Sequence, residues 1–96
     1  MKEIMDLMLS QIKMSGISVE SVKITDYSES SFGNFSVELK HKKDTFLVIM
    51  DRGQFFLDIY DANVSRYVNI SDVNSCAMDV YKKESWELWE LLKCIQ

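Results

Sequence analysis

The chain has 96 residues, and its hydrophobic content of 47% and aromatic content of 11% suffice for one globular domain, residues 1–96, with a modest core. Its 15 acidic residues outnumber 11 basic ones, and the net charge of −4 weighs against nucleic acid or an anionic membrane as a partner. The N-terminal stretch lacks the features of a secretory signal, and no run approaches the roughly 20 apolar residues of a membrane span.

Residues 3–14 predict an amphipathic helix. Ile4, Met8 and Ile12 form one apolar stripe, whereas Gln11 and the charged residues are expected on the solvated side. Gly16 suits the left-handed conformation that often follows a helix. A methionine-rich stripe can also line a promiscuous binding groove, but this spacing favours packing in the core.

Residues 17–27 predict a first strand that contains an irregularity. Its apolar residues alternate in two phases, and a β-bulge near Glu20 and Ser21 would reconcile them: Ile17 and Val19 hold one phase, and Val22 and Ile24 hold the other. Because bulges are common at sheet edges, we expect this strand at an edge. The polar residues 28–31 predict a loop into the next strand.

Residues 34–60 predict three antiparallel strands, 34–41, 45–51 and 54–60, joined by two tight turns. The first turn spans residues 41–44, and the second has Arg52 and Gly53 at its centre. In this register every facing pair on one side of the sheet is apolar: Leu39 with Phe46, Val37 with Val48, Phe35 with Met50, Met50 with Phe55, Val48 with Leu57, and Phe46 with Ile59. A slip of one residue would place Gln54 and Asp58 on that side, so burial selects this register.

Beyond Tyr60 the pattern predicts a further strand over residues 65–70, with Val68 opposite Leu57. Residues 71–84 fit either a helix capped by Ser71, a strand or a loop. Residues 85–95 predict a second long helix that presents leucines to the core. The expected fold is therefore α+β: an antiparallel meander sheet of four to five strands, with N- and C-terminal helices packed on one face.

The residues that most often carry chemistry are sparse in this chain. Cys76 and Cys94 match no metal or redox motif, and their number favours buried free thiols in a reducing compartment, the cytoplasm. His41 is the single histidine and is expected to be solvated in a basic turn. Glu38 and Asp58 would flank Leu47, but no hydrophobic pocket is evident to tune them. We therefore expect no metal, no cofactor and no enzymatic activity.

The other side of the predicted sheet is more apolar than a solvated face requires. By strand phase it carries seven residues that we take as the candidate partner-binding set: Glu38, Leu47, Ile49, Phe56, Asp58, Tyr60 and Tyr67. One explanation is that loops or residues 71–84 fold over this side. The other is a protein interface, in which aromatic anchors supply contact area and acidic groups steer a basic partner.

A small acidic chain with an N-terminal helix, a hairpin of the form DRGQFFLDIYD and a final helix rich in tryptophan and leucine resembles the immunity proteins of bacterial contact-dependent or polymorphic toxin systems. The resemblance implies a cytoplasmic protein that binds and blocks one cognate toxin domain, often a nuclease. The alternative is an oligomerising structural or adaptor module, such as a homodimer that uses the same face on itself. Unpaired carboxylates favour a basic heterologous partner, although Lys40 on the same strand weakens that argument.

Overall fold

The computed structural model describes residues 2–28 and 33–96, so most of the loop predicted over residues 28–31 lies outside the described residues. It is a five-stranded antiparallel meander in the order β1-β2-β3-β4-β5 with helices at both ends of the chain, which confirms the predicted α+β fold. The elements are α1 (Lys2–Ser15), β1 (Ser21–Ser28), β2 (Asn34–His41), β3 (Asp44–Asp51), β4 (Gln54–Asp61), β5 (Arg66–Asn69), a 3-10 helix (Ile70–Asp72), α2 (Ser75–Tyr81) and α3 (Leu88–Lys93). No helix of the described residues is long and apolar enough to cross a membrane.

The register of the three central strands is the predicted one. Val48 stands between Val37 and Leu57, and all three side chains are fully buried. Both tight turns contain left-handed backbone: Lys42 has φ of 56° in the first, and Arg52 and Gly53 have φ of 53° and 80° in the second. Because two successive left-handed residues match the twist of paired strands, the second turn holds the register that burial requires.

The first strand differs from the prediction at its start and in its bulge. Residues 17–20 are not part of β1; Ile17 is buried in the core, and its N–H donates to Ser15 Oγ at 3.2 Å as the chain leaves α1. The two apolar phases are therefore reconciled by the approach to the sheet and not by a bulge at Glu20 and Ser21. A bulge does occur in β1, but it lies at Thr25, between the paired residues Ile24 and Asp26.

The fifth strand is shorter than predicted and sits two residues further along β4. Val68 faces Ile59 instead of Leu57, although it keeps the predicted side of the sheet. The reason is that the turn lies one residue later than predicted, at residues 62–65 instead of 61–64, and Ser65 in it adopts a left-handed φ of 53°. The strand ends at Asn69, whose side chain caps the 3-10 helix by accepting from the Ser71 N–H at 2.9 Å.

The short fifth strand leaves part of the β4 edge open, and the last residue of α2 together with the loop that follows it closes this edge. The Tyr81 hydroxyl accepts from the Leu57 N–H at 2.9 Å, and Trp86 Nε1 donates to the Phe55 carbonyl at 2.7 Å. Two side chains thus pair backbone groups that a longer β5 would have paired. Residues 71–84, for which the sequence allowed a helix, a strand or a loop, are mostly helix and connecting loop.

Both later helices begin at caps other than those expected. Asn74, and not Ser71, caps α2 by accepting from the Ala77 N–H at 3.0 Å. The final helix begins at Leu88 instead of residue 85, because Glu87 and Glu90 form a capping box there. Its three leucines are fully buried against the core, as the pattern predicted: Leu88, Leu91 and Leu92.

A buried glutamine joins the two terminal helices. Gln11 was expected in solvent but is 6% exposed; its Oε1 accepts from the Trp89 N–H at 2.8 Å, and its Nε2 donates to Glu87 Oε2 at 3.3 Å. The first bond pairs the Trp89 N–H, an orphan donor at the start of α3, and the second reaches the helix-capping Glu87, so the amide fixes how α1 and α3 pack together. The amphipathic pattern alone could not show this, since glutamine is usually exposed.

Two further expectations are wrong. Cys76 and Cys94 are not free thiols: they form a disulfide, with 5.6 Å between their Cα atoms, that ties α2 to the residue after α3. His41 is not solvated; it continues the inward phase of β2, is 7% exposed, and its Nδ1–H donates to the Ser18 carbonyl at 2.5 Å. The basic turn contains only Lys42 and Lys43. The alternation of β2 therefore determined that His41 is buried, although its neighbours in the sequence are charged.

Candidate functional site

The outer face, which we define as the side of the sheet opposite the α1 and α3 core, carries the predicted partner-binding residues. Strand pairing puts Glu38, Leu47, Asp58 and Asn69 side by side across β2 to β5. The two carboxylates therefore flank Leu47, as predicted. The neighbouring row holds Ile49 and Phe56, and the seven candidate residues share one continuous face.

The aromatic residues of this face fall into two groups with different surroundings. Tyr60 and Tyr67 face each other across β4 and β5, with ring centroids 5.4 Å apart and planes near perpendicular, and Tyr60 is 42% exposed. This edge-to-face pair holds each ring in place while leaving Tyr60 accessible. The pair can therefore serve as a rigid contact for another molecule.

Phe56 is instead engaged within the chain. Its ring stacks on Tyr81 and meets Trp86 edge-on, each at a centroid distance of 6.0 Å, and those two rings contact each other at 5.2 Å. The end of α2 and the loop after it thus cover one part of the outer face, which agrees with the first of the two explanations drawn from the sequence. That cover leaves Leu47, Ile49 and Asp58 partly exposed.

The two acidic side chains of the outer face, Glu38 and Asp58, are not held in salt bridges among the described residues. Lys23 nevertheless stands opposite Glu38 on β1. Partial burial, and then the nearby carboxylate of Asp72, raise the pKa of Asp58 above its ordinary value. Burial, and then Glu38, likewise raise the pKa of the Tyr67 hydroxyl. The face therefore holds negative charge in a partly desolvated setting.

Replacing Asp58 by asparagine is expected to stabilise the free protein at pH 7. The raised pKa means that the folded state binds this proton more tightly than the unfolded state, so ionised Asp58 lowers the free energy of unfolding above that pKa. The penalty disappears as the pH falls through the raised pKa. Because solvent screens this half-exposed group, the gain for Asp58→Asn should be no more than about 1 kcal/mol.

Thermal melting of the parent and Asp58→Asn between pH 7 and about pH 4 measures this difference. The melting temperature of the variant should be higher at pH 7, and the gap should narrow as the pH falls. Asp6→Asn, at an exposed position of α1, is the matched control because it removes one acidic group away from the outer face. A gap that stays constant or widens toward acid pH would contradict the unfavourable setting of Asp58.

Sequence reasoning missed several residues that shape this face. Asp72 lies beyond the predicted strands, and Tyr81 and Trp86 lie in or beyond residues 71–84. Strand alternation could not predict their positions, because none of them lies on a strand. They are brought to the sheet by the 3-10 helix that follows Asn69 and by α2. Among the described residues no group of three or more histidine, cysteine or acidic side chains could hold a metal ion.

Comparison with known proteins assigns no family to this arrangement. The chain matches no protein-family model, and neither the search of curated proteins nor the search of solved structures found a match.

Proposed function

We propose that this chain is a binding protein of the immunity type, which neutralises a basic toxin domain by direct contact through its outer face. One observation carries the proposal: Glu38 and Asp58 flank Leu47 on a partly desolvated face, beside the Tyr60 and Tyr67 rings, and neither carboxylate forms an ion pair within the described residues. A basic partner would supply the missing charge, and the apolar and aromatic groups would exclude water around it.

The same observation favours binding over catalysis. The two carboxylates stand on strands β2 and β4, on either side of Leu47 of β3, so they present charge and area to another surface. Proteins commonly keep such a destabilising charge where function needs it, at some loss of stability. We therefore propose that the chain lacks enzymatic activity, and that its partner is a protein, such as a nuclease toxin domain, and not nucleic acid or a membrane.

The disulfide changes the proposed location. The cytoplasmic prediction depended on free thiols, and the pairing of Cys76 with Cys94 removes that support. Because structural disulfides persist mainly in oxidising compartments, we infer that the chain acts in such a compartment and meets its partner there. An inhibitor of the immunity type can act wherever it encounters the toxin domain.

The test is a calorimetric titration with the protein encoded immediately upstream, where the gene of a cognate toxin is expected. Tyr60→Ala should weaken binding about tenfold or more, which corresponds to about 1.4 kcal/mol, because it removes an accessible aromatic anchor. Tyr27→Ala is the matched control: Tyr27 is similarly exposed, but it pairs with Phe35 in the inward phase of β1.

Equal affinities of the parent and Tyr60→Ala would show that the outer face is not the binding surface. A parent that fails to bind the upstream product, yet forms a concentration-dependent dimer that Tyr60→Ala disrupts, would favour the oligomerising module. Lys23 and Lys40 on β1 and β2 could then pair with acidic groups of a second copy.

A further inference from the structure

A groove of about 420 Å³ opens on the outer face, beside the row that contains Phe56. Leu47 and Ile49 of β3 form its apolar part, and both are partly exposed. Its polar part includes Ser36 of β2 and two carboxylates, Asp26 of β1 and Asp51 at the end of β3. Among the described residues, its lining has two carboxylates and no lysine, arginine or histidine, so these residues give it negative charge.

The bulge in β1 brings Asp26 into this groove. Val22 and Ile24 pair with the inward-facing Leu39 and Val37, so uninterrupted alternation would place Asp26 on the inward side as well. The extra residue at Thr25 shifts the phase, and Asp26 pairs with Ser36 on the outer side instead. Thr25 holds the bulge through its hydroxyl, which lies 2.8 Å from Ser36 Oγ. Bulges commonly re-aim a side chain in this way near functional sites.

Among the described residues, the hydrogen bonds made by Asp26 and Asp51 use one carboxylate oxygen of each side chain. Oδ1 of Asp26 accepts from the Tyr27 N–H at 2.9 Å, and Oδ1 of Asp51 accepts from Asn34 Nδ2 at 3.2 Å. Arg52 approaches Asp51 only to 4.0 Å and is 88% exposed, so this surface contact contributes little. Both carboxylates are therefore oriented by the backbone or by an amide, and a ligand with several N–H donors can still pair with them.

We propose that this groove receives an arginine side chain of the basic partner; the inference rests on the proposed function and specifies how the partner is held. The arginine stem lies over Leu47 and Ile49, and its guanidinium group pairs with Asp26 and Asp51. Arginine fits this combination because its long stem is apolar and its planar head carries five donors. Charged hydrogen bonds to carboxylates and enrichment at interface hot spots are typical of this side chain.

The direct test titrates the ¹⁵N-labelled protein with N-acetyl-arginine amide and follows amide chemical shifts by NMR. The neutral isostere N-acetyl-citrulline amide is the matched probe. Saturable shifts are expected at Ser36, Leu47 and Ile49 with the arginine probe, and at least tenfold weaker binding with the citrulline probe. The double variant Asp26→Asn/Asp51→Asn should lose the same factor, whereas Asp6→Asn on α1 should not.

Equal shifts from both probes, an absence of saturable shifts at the groove, or shifts centred on Glu38 and Asp58 would overturn the inference. Titrating the upstream product separates this inference from the proposed function. If the double variant binds that product as tightly as the parent while Tyr60→Ala binds it weakly, the groove assignment fails and the proposed function stands. If the product does not bind the parent, the proposed function fails, and the arginine probe still decides the groove.

Discussion

Removal of the Cys76–Cys94 disulfide is expected to lower the free energy of unfolding by about 2–4 kcal/mol. The two cysteines are 18 residues apart, and their bond restricts the unfolded chain between α2 and the end of α3. Asn74 adds a hydrogen bond across the same junction, from its Nδ2 to the Cys94 carbonyl at 3.1 Å. A small domain with a modest core depends strongly on a constraint of this size.

Thermal melting with and without a phosphine reductant measures this contribution. The parent should lose roughly 10–30 °C on reduction, as expected for a domain of this size. The Cys76→Ser/Cys94→Ser variant should melt near the reduced parent and should not respond to the reductant. A parent melting temperature that reduction leaves unchanged, with two titratable thiols in the native protein, would contradict the disulfide and restore the argument for the cytoplasm.

The central sheet could be predicted because independent constraints agreed on it. The alternation of apolar and polar residues showed which side of each strand is buried. The left-handed turn at Arg52 and Gly53 fixed which residues of β3 and β4 pair with each other. A shift of β4 by one residue would have exposed Leu57 and buried Asp58. The first helix was predictable for a similar reason, since its apolar stripe repeats over the whole of α1.

The remaining features depend on contacts between distant parts of the chain. The disulfide forms because α2 and α3 pack together, and nothing within either helix reveals that the two cysteines meet. The β5 register depends on Ser65, which adopts a left-handed conformation. In a sequence, such a conformation is usually indicated by glycine. The prediction of a bulge in β1 was correct in kind but wrong in place, and for that reason Asp26 was absent from the candidate set.

The sequence predicted which residues share the outer face, but not that other residues of the chain cover part of it. Strand phase correctly grouped Glu38, Asp58 and Tyr67, because each lies on a strand whose alternation is regular. Phe56 was grouped with them on the same ground. Its contacts with Tyr81 and Trp86 come from a segment without strand periodicity. Phe56→Ala would therefore disturb folding as well as binding, and a charge reversal tests the face more cleanly.

Asp58→Lys is expected to weaken binding of the basic partner about 100-fold or more, which corresponds to at least about 2.8 kcal/mol. The reversal removes an attraction at the centre of the outer face and brings a positive charge against the positive partner. The free protein should tolerate it, because Asp58 has no ion pair to lose among the described residues and burial already disfavours its charge.

Asp6→Lys provides the matched control for this reversal. It changes the net charge by the same amount at an exposed position of α1, on the opposite side of the sheet. General electrostatic attraction between an acidic protein and a basic partner would weaken equally in both variants. A local contact at the outer face would weaken only in Asp58→Lys.

The dissociation constant of each variant for the upstream-encoded product, measured by calorimetry at physiological salt after melting curves confirm folding, tests the outer face most directly. We expect Asp58→Lys to bind about 100-fold more weakly than the parent, and Asp6→Lys to stay within about threefold of it. Parent-like affinity in Asp58→Lys, or an equal loss in both variants, would contradict binding of a basic partner through the outer face.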